Sequence, residues 1–342
     1  MRQRPSAAIR VLALALFLAS PSVVEGNPPE KRLKVFILAG QSNMEGHGVV
    51  QADPKRNGGL GSLEHLVKSP KTAKRFGHLV DADGKWRSRK DVWIWYLGRQ
   101  GELTVGYGAR DRFIGPELQF GHVVGDHFDH QVLLIKTAWG GKSLAVDFRP
   151  PSSGKIPYPV GKKLQARIES EPETLGRYYR QMLAHVRDVL KNLEEHFPAY
   201  DGRGYEIIGL GWHQGWNDRV NQAFNDEYEK NLADFIRDVR KDLGLEKLPF
   251  VIAETGMHGS GKKHPRALSL MRAQAAVAKY PEFKGNVAFV GTQVFQRPRE
   301  ASPSAQGYHW NHNAETHFLI GDAMGKAMVK LLDDEKEDEQ DD

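Results

Sequence analysis

Five short apolar runs alternate along the chain with longer segments of helical period. The runs at 34–39, 131–136, 206–211, 249–253 and 286–291 are rich in Val, Ile, Leu and Phe. They are short enough to read as strands buried on both faces, the habit of a parallel sheet. The segments 116–128, 175–194, 223–242, 265–279 and 314–332 read as helices. In the third of these, Tyr228, Leu232, Phe235, Ile236 and Val239 recur at spacings of three and four, so one stripe faces the sheet. Pro116 stands where a first helical residue belongs, because its missing N–H is not needed there. The alternation predicts an α/β fold: a three-layer α/β/α sandwich around a central parallel sheet.

Two stretches break the alternation. Residues 45–115 contain Gly58-Gly59-Leu60-Gly61, a basic run at 71–75 and the aromatic strand Val92-Trp93-Ile94-Trp95-Tyr96. They read as a long insertion with a β-hairpin, ending in Gly106-Tyr107-Gly108, with Trp93 and Trp95 sharing one buried face. Residues 142–174 are rich in Pro and Lys and read as a second loop. Both insertions leave strand ends, where they would wall a cleft. No internal repeat and no linker calls for a second domain.

Composition changes the picture mainly at the two ends. Arg2, Arg4 and Arg10 precede the apolar run Val11–Ala19, and small residues follow, so residues 1–26 read as a secretory signal peptide. That apolar run is too short to cross a bilayer. The expected location is secreted or periplasmic, with no membrane insertion. The absence of cysteine is compatible with export for a chain of 342 residues, which can rely on its core. The remaining chain fits one domain over 27–332. The formal net charge is +5, but the last ten residues hold eight acids and one Lys, so the body between the two ends is near +10. A mixed solvated surface explains that charge at least as well as affinity for anionic polymers. Residues 333–342 read as an acidic, disordered tail.

The chemistry starts at the exit of the first strand, where Gly40-Gln41-Ser42-Asn43-Met44 follows Val35–Ala39. A Gly-led turn there places a hydroxyl at the C-terminal edge of the sheet, where open α/β sheets hold their ligands. Its backbone N–H groups can face developing negative charge. Three further blocks follow in order: Ala138-Trp139-Gly140-Gly141-Lys142-Ser143, Trp212-His213-Gln214-Gly215, and Tyr308-His309-Trp310-Asn311. Together these motifs resemble the SGNH hydrolases, in particular the sialate O-acetylesterase-like and carbohydrate esterase family 6 branch. Gly115-Pro116-Glu117-Leu118 is similar to the segment that opens the second major helix of that branch. The resemblance spans about residues 33 to 330 and implies a flavodoxin-like SGNH fold with long loop insertions.

The resemblance also implies roles. Ser42 would be the nucleophile, and its own N–H would enter an oxyanion hole completed by Gly140 or Gly141 and by the Gln214 amide. His309 would act as general base and then general acid. A neutral hydroxyl needs such a base, and donors fixed in advance are worth about 3–4 kcal/mol each to the oxyanion. Two departures stand out. The family's Asp three residues before the catalytic His is Gln306 here, and no acid lies between Ala301 and Tyr308. Glu254, at the end of its strand, is the first substitute candidate, and Glu315 the second. Trp216 also replaces the Glu that more often follows His-Gln-Gly.

Other signals are weighed against plainer readings. Trp139, Trp212, Trp216 and Trp310 fall within or beside the motif blocks, and rings near a polar pocket suit stacking on sugars. A Trp is more often core, so one or two of them are expected at the site, with Trp139, Trp216 and Trp310 as the candidates. Gly256–Lys263 nearly reads as a phosphate loop, but Lys263 stands where a hydroxyl is needed, and a Gly-rich loop over the site is the better reading. The cluster His309, His312, Glu315 and His317 lacks the i, i+4 pairing of helical zinc sites, so no metal is expected. No G-x-S-x-G elbow surrounds any serine. The expectation is a secreted serine esterase that removes O-acetyl groups from carbohydrates, without cofactor and without a nucleic-acid partner. A noncatalytic glycan-binding protein on the same fold is the alternative from another class, and an acyltransferase is the third.

Overall fold

A computed structural model describes residues 31–257 and 264–341. The leader at 1–26 and most of the Gly-rich loop lie outside the described residues. The strands are β1 (Leu33–Gly40), β2 (Gly48–Val49), β3 (Arg89–Tyr96), β4 (Arg99–Leu103), β5 (Phe113–Ile114), β6 (Val132–Ala138), β7 (Tyr205–His213), β8 (Phe250–Ala253) and β9 (Val287–Val290). Seven of them form one sheet in the order β4-β3-β6-β1-β7-β8-β9, and β2 pairs with β5 apart from it. The large sheet is parallel except at β4, which runs antiparallel to β3.

The main helices are α1 (Ser42–Glu45), α2 (Glu117–His127), α3 (Arg177–Lys191), α4 (Tyr228–Leu243), α5 (Pro265–Val277) and α6 (Ala314–Asp341). They cover both faces of the sheet. On one face, Val35, Ile37 and Ala39 of β1 pack with Met182 and Val186 of α3 and Phe235 and Val239 of α4. On the other, Phe36 and Leu38 pack with Phe120 of α2 and Phe318 and Met324 of α6. The predicted stripe Tyr228, Leu232, Phe235, Ile236 and Val239 is buried throughout. The architecture is the three-layer α/β/α sandwich that the alternation predicts. Among the described residues, no helix is long and apolar enough to cross a membrane.

The structure corrects three details. The aromatic strand within 45–115 does not stand in a separate insertion: β3 joins the central sheet, parallel to β6, with Val92 opposite Val132 and Tyr96 opposite Lys136. The reason is visible in its side chains. Val92, Ile94 and Tyr96 enter one core while Trp93 and Trp95 enter the other, so the strand is buried on both faces. The hairpin with β4 is then an edge of the sheet. The stretch 142–174 also holds a helix, Lys162–Ser170, which buries none of its residues. Finally, α6 continues to Asp341, through the stretch read as a disordered tail. Residues 333–341 contain no Gly, Pro or β-branched residue to stop it.

The middle of the sheet positions the site. β1 lies between β6 and β7, and the chain crosses from one side of β1 to the other between those strands. That crossing is a topological switch point, so a crevice opens at the C-terminal ends of β1, β6 and β7. Gly40 permits the close approach there: a Cβ at this position would lie 2.3 Å from the His213 carbonyl oxygen.

Candidate active site

Ser42 begins α1 immediately beyond β1 and is 8% exposed at the crevice floor. Gln41 locks this turn against the end of β7. Its side-chain oxygen accepts hydrogen bonds from Gln214 Nε2, Gly215 N–H and Asn217 N–H, each at 3.2 Å. Gly140 sits beside the serine; a Cβ there would come within 3.8 Å of Ser42 Cβ. Asn43 makes the third tie, donating from Nδ2 to the Tyr308 carbonyl at 3.1 Å and to Met257 Sδ at 3.0 Å. The serine turn, the Gly140-Gly141 turn and the loop carrying His309 therefore meet at one sheet edge. Among the described residues, no hydrogen bond joins Ser42 to the His309 ring. Asn43 holds the two segments adjacent.

The loop carrying His309 has unusual backbone geometry. Trp310, Asn311 and His312 have φ values of 54°, 56° and 59°, three successive non-glycine residues in the left-handed region. Each costs about 1–2 kcal/mol. Trp310 offsets this by full burial in the core beneath α6. Asn311 adds a bond from its side chain to the Arg297 carbonyl at 3.0 Å and one from its N–H to the Gln306 carbonyl at 3.1 Å. Strain of this kind concentrates at functional sites.

His309 lies in a cluster of imidazoles. Its ring stacks on His47 with centroids 3.7 Å apart and planes 10° apart, and His312 lies 5.9 Å away. Burial is the first cause that lowers the pKa of each: to about 3 for His47 and about 4 for His309, with nearby histidine charges adding to it. Burial likewise lowers His312, His317 and, to about 4, His213. In each case burial favours the neutral ring. His47, His309 and His312 each bring a ligand atom within 4.8 Å of the others. Imidazole lone pairs lie in the ring plane, and these three rings are within 21° of parallel. After burial, the charges that lower His47 are His309 and His312 and then Lys136 and Arg110, and those that lower His312 are Arg56 and Arg112.

The proposed oxyanion donors differ in their freedom. Gln214 Nε2 already donates to Gln41 Oε1, to the Lys142 carbonyl at 3.0 Å and to the Asp218 carboxylate, while Gln214 Oε1 accepts from Tyr228. Gln214 is thus a strut between the loops after β6 and β7. Asp218 completes the strut by accepting from Leu144 and Ala145 N–H, and burial raises its pKa to about 7 against these three donors. Gly140 N–H faces the carboxylate of Glu45, which also accepts from Tyr96 at 3.3 Å, and burial raises the Glu45 pKa. The N–H groups of Ser42 and Gly141 have no acceptor among the described residues.

The two acid candidates are engaged elsewhere. Glu254 is buried, and its carboxylate accepts from Thr292 N–H at 2.9 Å and from the backbone and side chain of Gln293 at 3.1 and 2.9 Å. It holds the turn after β9 and makes no hydrogen bond to His309 among the described residues. Glu315 pairs with Arg297 at 2.7 Å and Arg75 at 3.5 Å. His309 Nδ1 is itself buried without a partner. Of the aromatic candidates, Trp310 is core, and so is Trp212. Trp139 turns away to pack on Phe148, Tyr178 and His185. Trp216 remains at the rim, 5.9 Å from Tyr308, with Arg219 over its face at 3.7 Å. Sequence reasoning missed Asn43, Glu45 and His47 as site residues. Asn43 and Glu45 flank the serine within one turn, which was the available signal.

The family model for carbohydrate esterase, sialic acid-specific acetylesterase, matches residues 32–330, and the chain belongs to that family. It is a hydrolytic enzyme of the carbohydrate and sialate O-acetylesterase class. Its fold is similar to a protein from Arabidopsis thaliana at 17% identity, with TM-score 0.53, covering 88% of this chain and 98% of that one. It is also similar to NanS at 12% identity, with TM-score 0.53, covering 89% and 98%. A carbohydrate acetylesterase from Xanthomonas citri matches at 14% identity, with TM-score 0.50, covering 86% of this chain and 55% of that one. No curated protein sequence matches the chain significantly.

Proposed function

We propose that this chain removes O-acetyl groups from carbohydrates through an acetyl-enzyme on Ser42, with His309 as the proton carrier. Ser42 Oγ attacks the acetyl carbonyl while His309 takes the hydroxyl proton. The oxyanion forms against the N–H groups of Ser42 and Gly141. His309 returns the proton to the departing sugar oxygen, and water then repeats the sequence to release acetate. The observation that carries this reading is the Asn43 tie, which sets the serine turn, with Gly140 beside it, against the segment bearing His309. Trp216 and Tyr308 offer ring faces to the sugar at the rim. Export, read from residues 1–26, would bring the enzyme to polysaccharide substrates.

Two measurements test it together. A fluorophosphonate probe should label Ser42, and acetate should be released from an acetylated polysaccharide. A chain that binds the polysaccharide, resists the probe and releases no acetate would instead be a glycan-binding protein.

The pH profile carries a sign. A general base works only when neutral, and His309 is depressed to about 4 by burial. The acidic limb of kcat/KM should therefore fall near pH 4, well below the usual histidine value of about 6.5. Initial rates between pH 3.5 and 8 check this. A limb near 6.5 would remove His309, as placed here, from the role.

A further inference from the structure

The His309 ring lacks the partner that usually orients a catalytic imidazole. Its Nδ1 is unpaired, and Gln306 occupies the position of the family's aspartate. What the ring does have is a face. His47 lies flat against it at 3.7 Å and 10°. We infer that His47 is the positioning residue for His309, holding the proton carrier by ring stacking in place of a carboxylate. The inference rests on the reading of His309 as the base, and it concerns orientation and charge, not the identity of the nucleophile.

The support for His47 is built into the fold. Its backbone N–H donates to Nε2 of His317 at 3.3 Å, and His317 is fully buried on α6. Phe113 of β5 packs near the His47 ring, with centroids 5.5 Å apart. His47 itself stands just before β2, which pairs with β5. The small sheet therefore fixes the ring on which His309 rests. Stacking also suits the transition state. When His309 accepts the serine proton it becomes a cation, and a neutral ring face at close range tolerates that charge better than a charged neighbour would. A neighbour that protonated first would repel it. His47 is protected from that by burial and by the surrounding His309, His312, Lys136 and Arg110, all of which disfavour a charge on it. None of these four groups is acidic.

Two variants separate stacking from any other role. His47→Phe keeps a flat ring and removes both nitrogens; His47→Ala removes the ring. We expect His47→Ala to lower kcat on an aryl acetate by about 10- to 100-fold with KM within about twofold, and to slow fluorophosphonate labelling of Ser42 in parallel. His47→Phe should retain kcat within about threefold of the wild type. Unfolding curves of each variant report stability separately, and the comparison at matched folded fraction decides. Wild-type rates for His47→Ala would overturn the inference. So would a His47→Phe variant as slow as His47→Ala, or wild-type activity lost on treatment with a chelator, because each would show that the His47 nitrogens act directly. If the wild-type enzyme itself neither labels nor turns over, the failure belongs to the esterase reading and not to His47.

Discussion

Ser42→Ala is expected to lower kcat for acetyl-ester hydrolysis by about 10⁴-fold or more while the protein remains folded. The magnitude follows from the mechanism. Without the hydroxyl there is no acetyl-enzyme, and what remains is binding plus the oxyanion donors, which alone give modest catalysis. The Ser42 and Gly141 N–H groups survive the substitution because both are backbone. The structural cost is small for a specific reason: Ser42 Oγ makes no hydrogen bond to the described residues, so removing it leaves no buried partner unsatisfied. The turn is held instead by Gln41 and Asn43, which the substitution does not touch. Turnover measured beside denaturant unfolding checks both halves. An unfolding midpoint unchanged with kcat reduced by less than tenfold would mean that another group is the nucleophile.

Much of this arrangement is legible in the sequence because it depends on periodicity and on strand ends. β1, β6 and β7 are apolar runs with turn residues behind them, and parallel sheets place such exits on one edge. That logic puts Ser42, Gly140, Gly141 and the Gln214 block at that edge, where the strands do end. It misplaces β3 because Val92–Tyr96 sits in an irregular stretch, and its own lack of polar alternation carries less weight there than its surroundings. Pairing partners far apart in sequence decide that question, and Lys136 opposite Tyr96 cannot be read from either segment alone.

Side-chain engagement is illegible for a different reason. Glu254, Gln214 and Trp139 each stand at the predicted strand end, yet a strand end fixes only a Cα position. Which way the group turns depends on what else competes for it. Two backbone N–H groups after β9 claim Glu254, and the Lys142 carbonyl and Asp218 claim Gln214. The stack of His47 on His309 joins residues 262 positions apart through a two-residue sheet, a contact with no periodic signature.

Lys136→Met is expected to cost about 3–5 kcal/mol of stability and to reduce catalysis in what remains folded. Lys136 is fully buried on β6, and its ammonium makes three bonds: to Glu117 Oε2 at 2.7 Å, to the Glu45 carbonyl at 2.6 Å and to the Tyr107 carbonyl at 2.8 Å. The Tyr96 ring lies 4.5 Å away on another side. Burial pulls Lys136 down and Glu117 up, and each partner opposes the other's shift, so the charged pair persists only as a pair. Methionine fills a similar volume but leaves a buried carboxylate without its cation and two carbonyls without a donor, a loss in the range measured for broken buried pairs. One of those carbonyls belongs to Glu45, three residues after Ser42, so the same ammonium that joins α2 to the sheet also anchors the end of α1. Adding Glu117→Leu should restore the part due to the stranded carboxylate, making the double variant more stable than Lys136→Met alone, but it cannot restore the anchor at Glu45. Urea unfolding of the single and double variants, read beside kcat, separates the two functions. Stability recovered with kcat still low would assign the ammonium to the serine turn, whereas a single variant within about 1 kcal/mol of the wild type would show that this buried network does not hold the site at all.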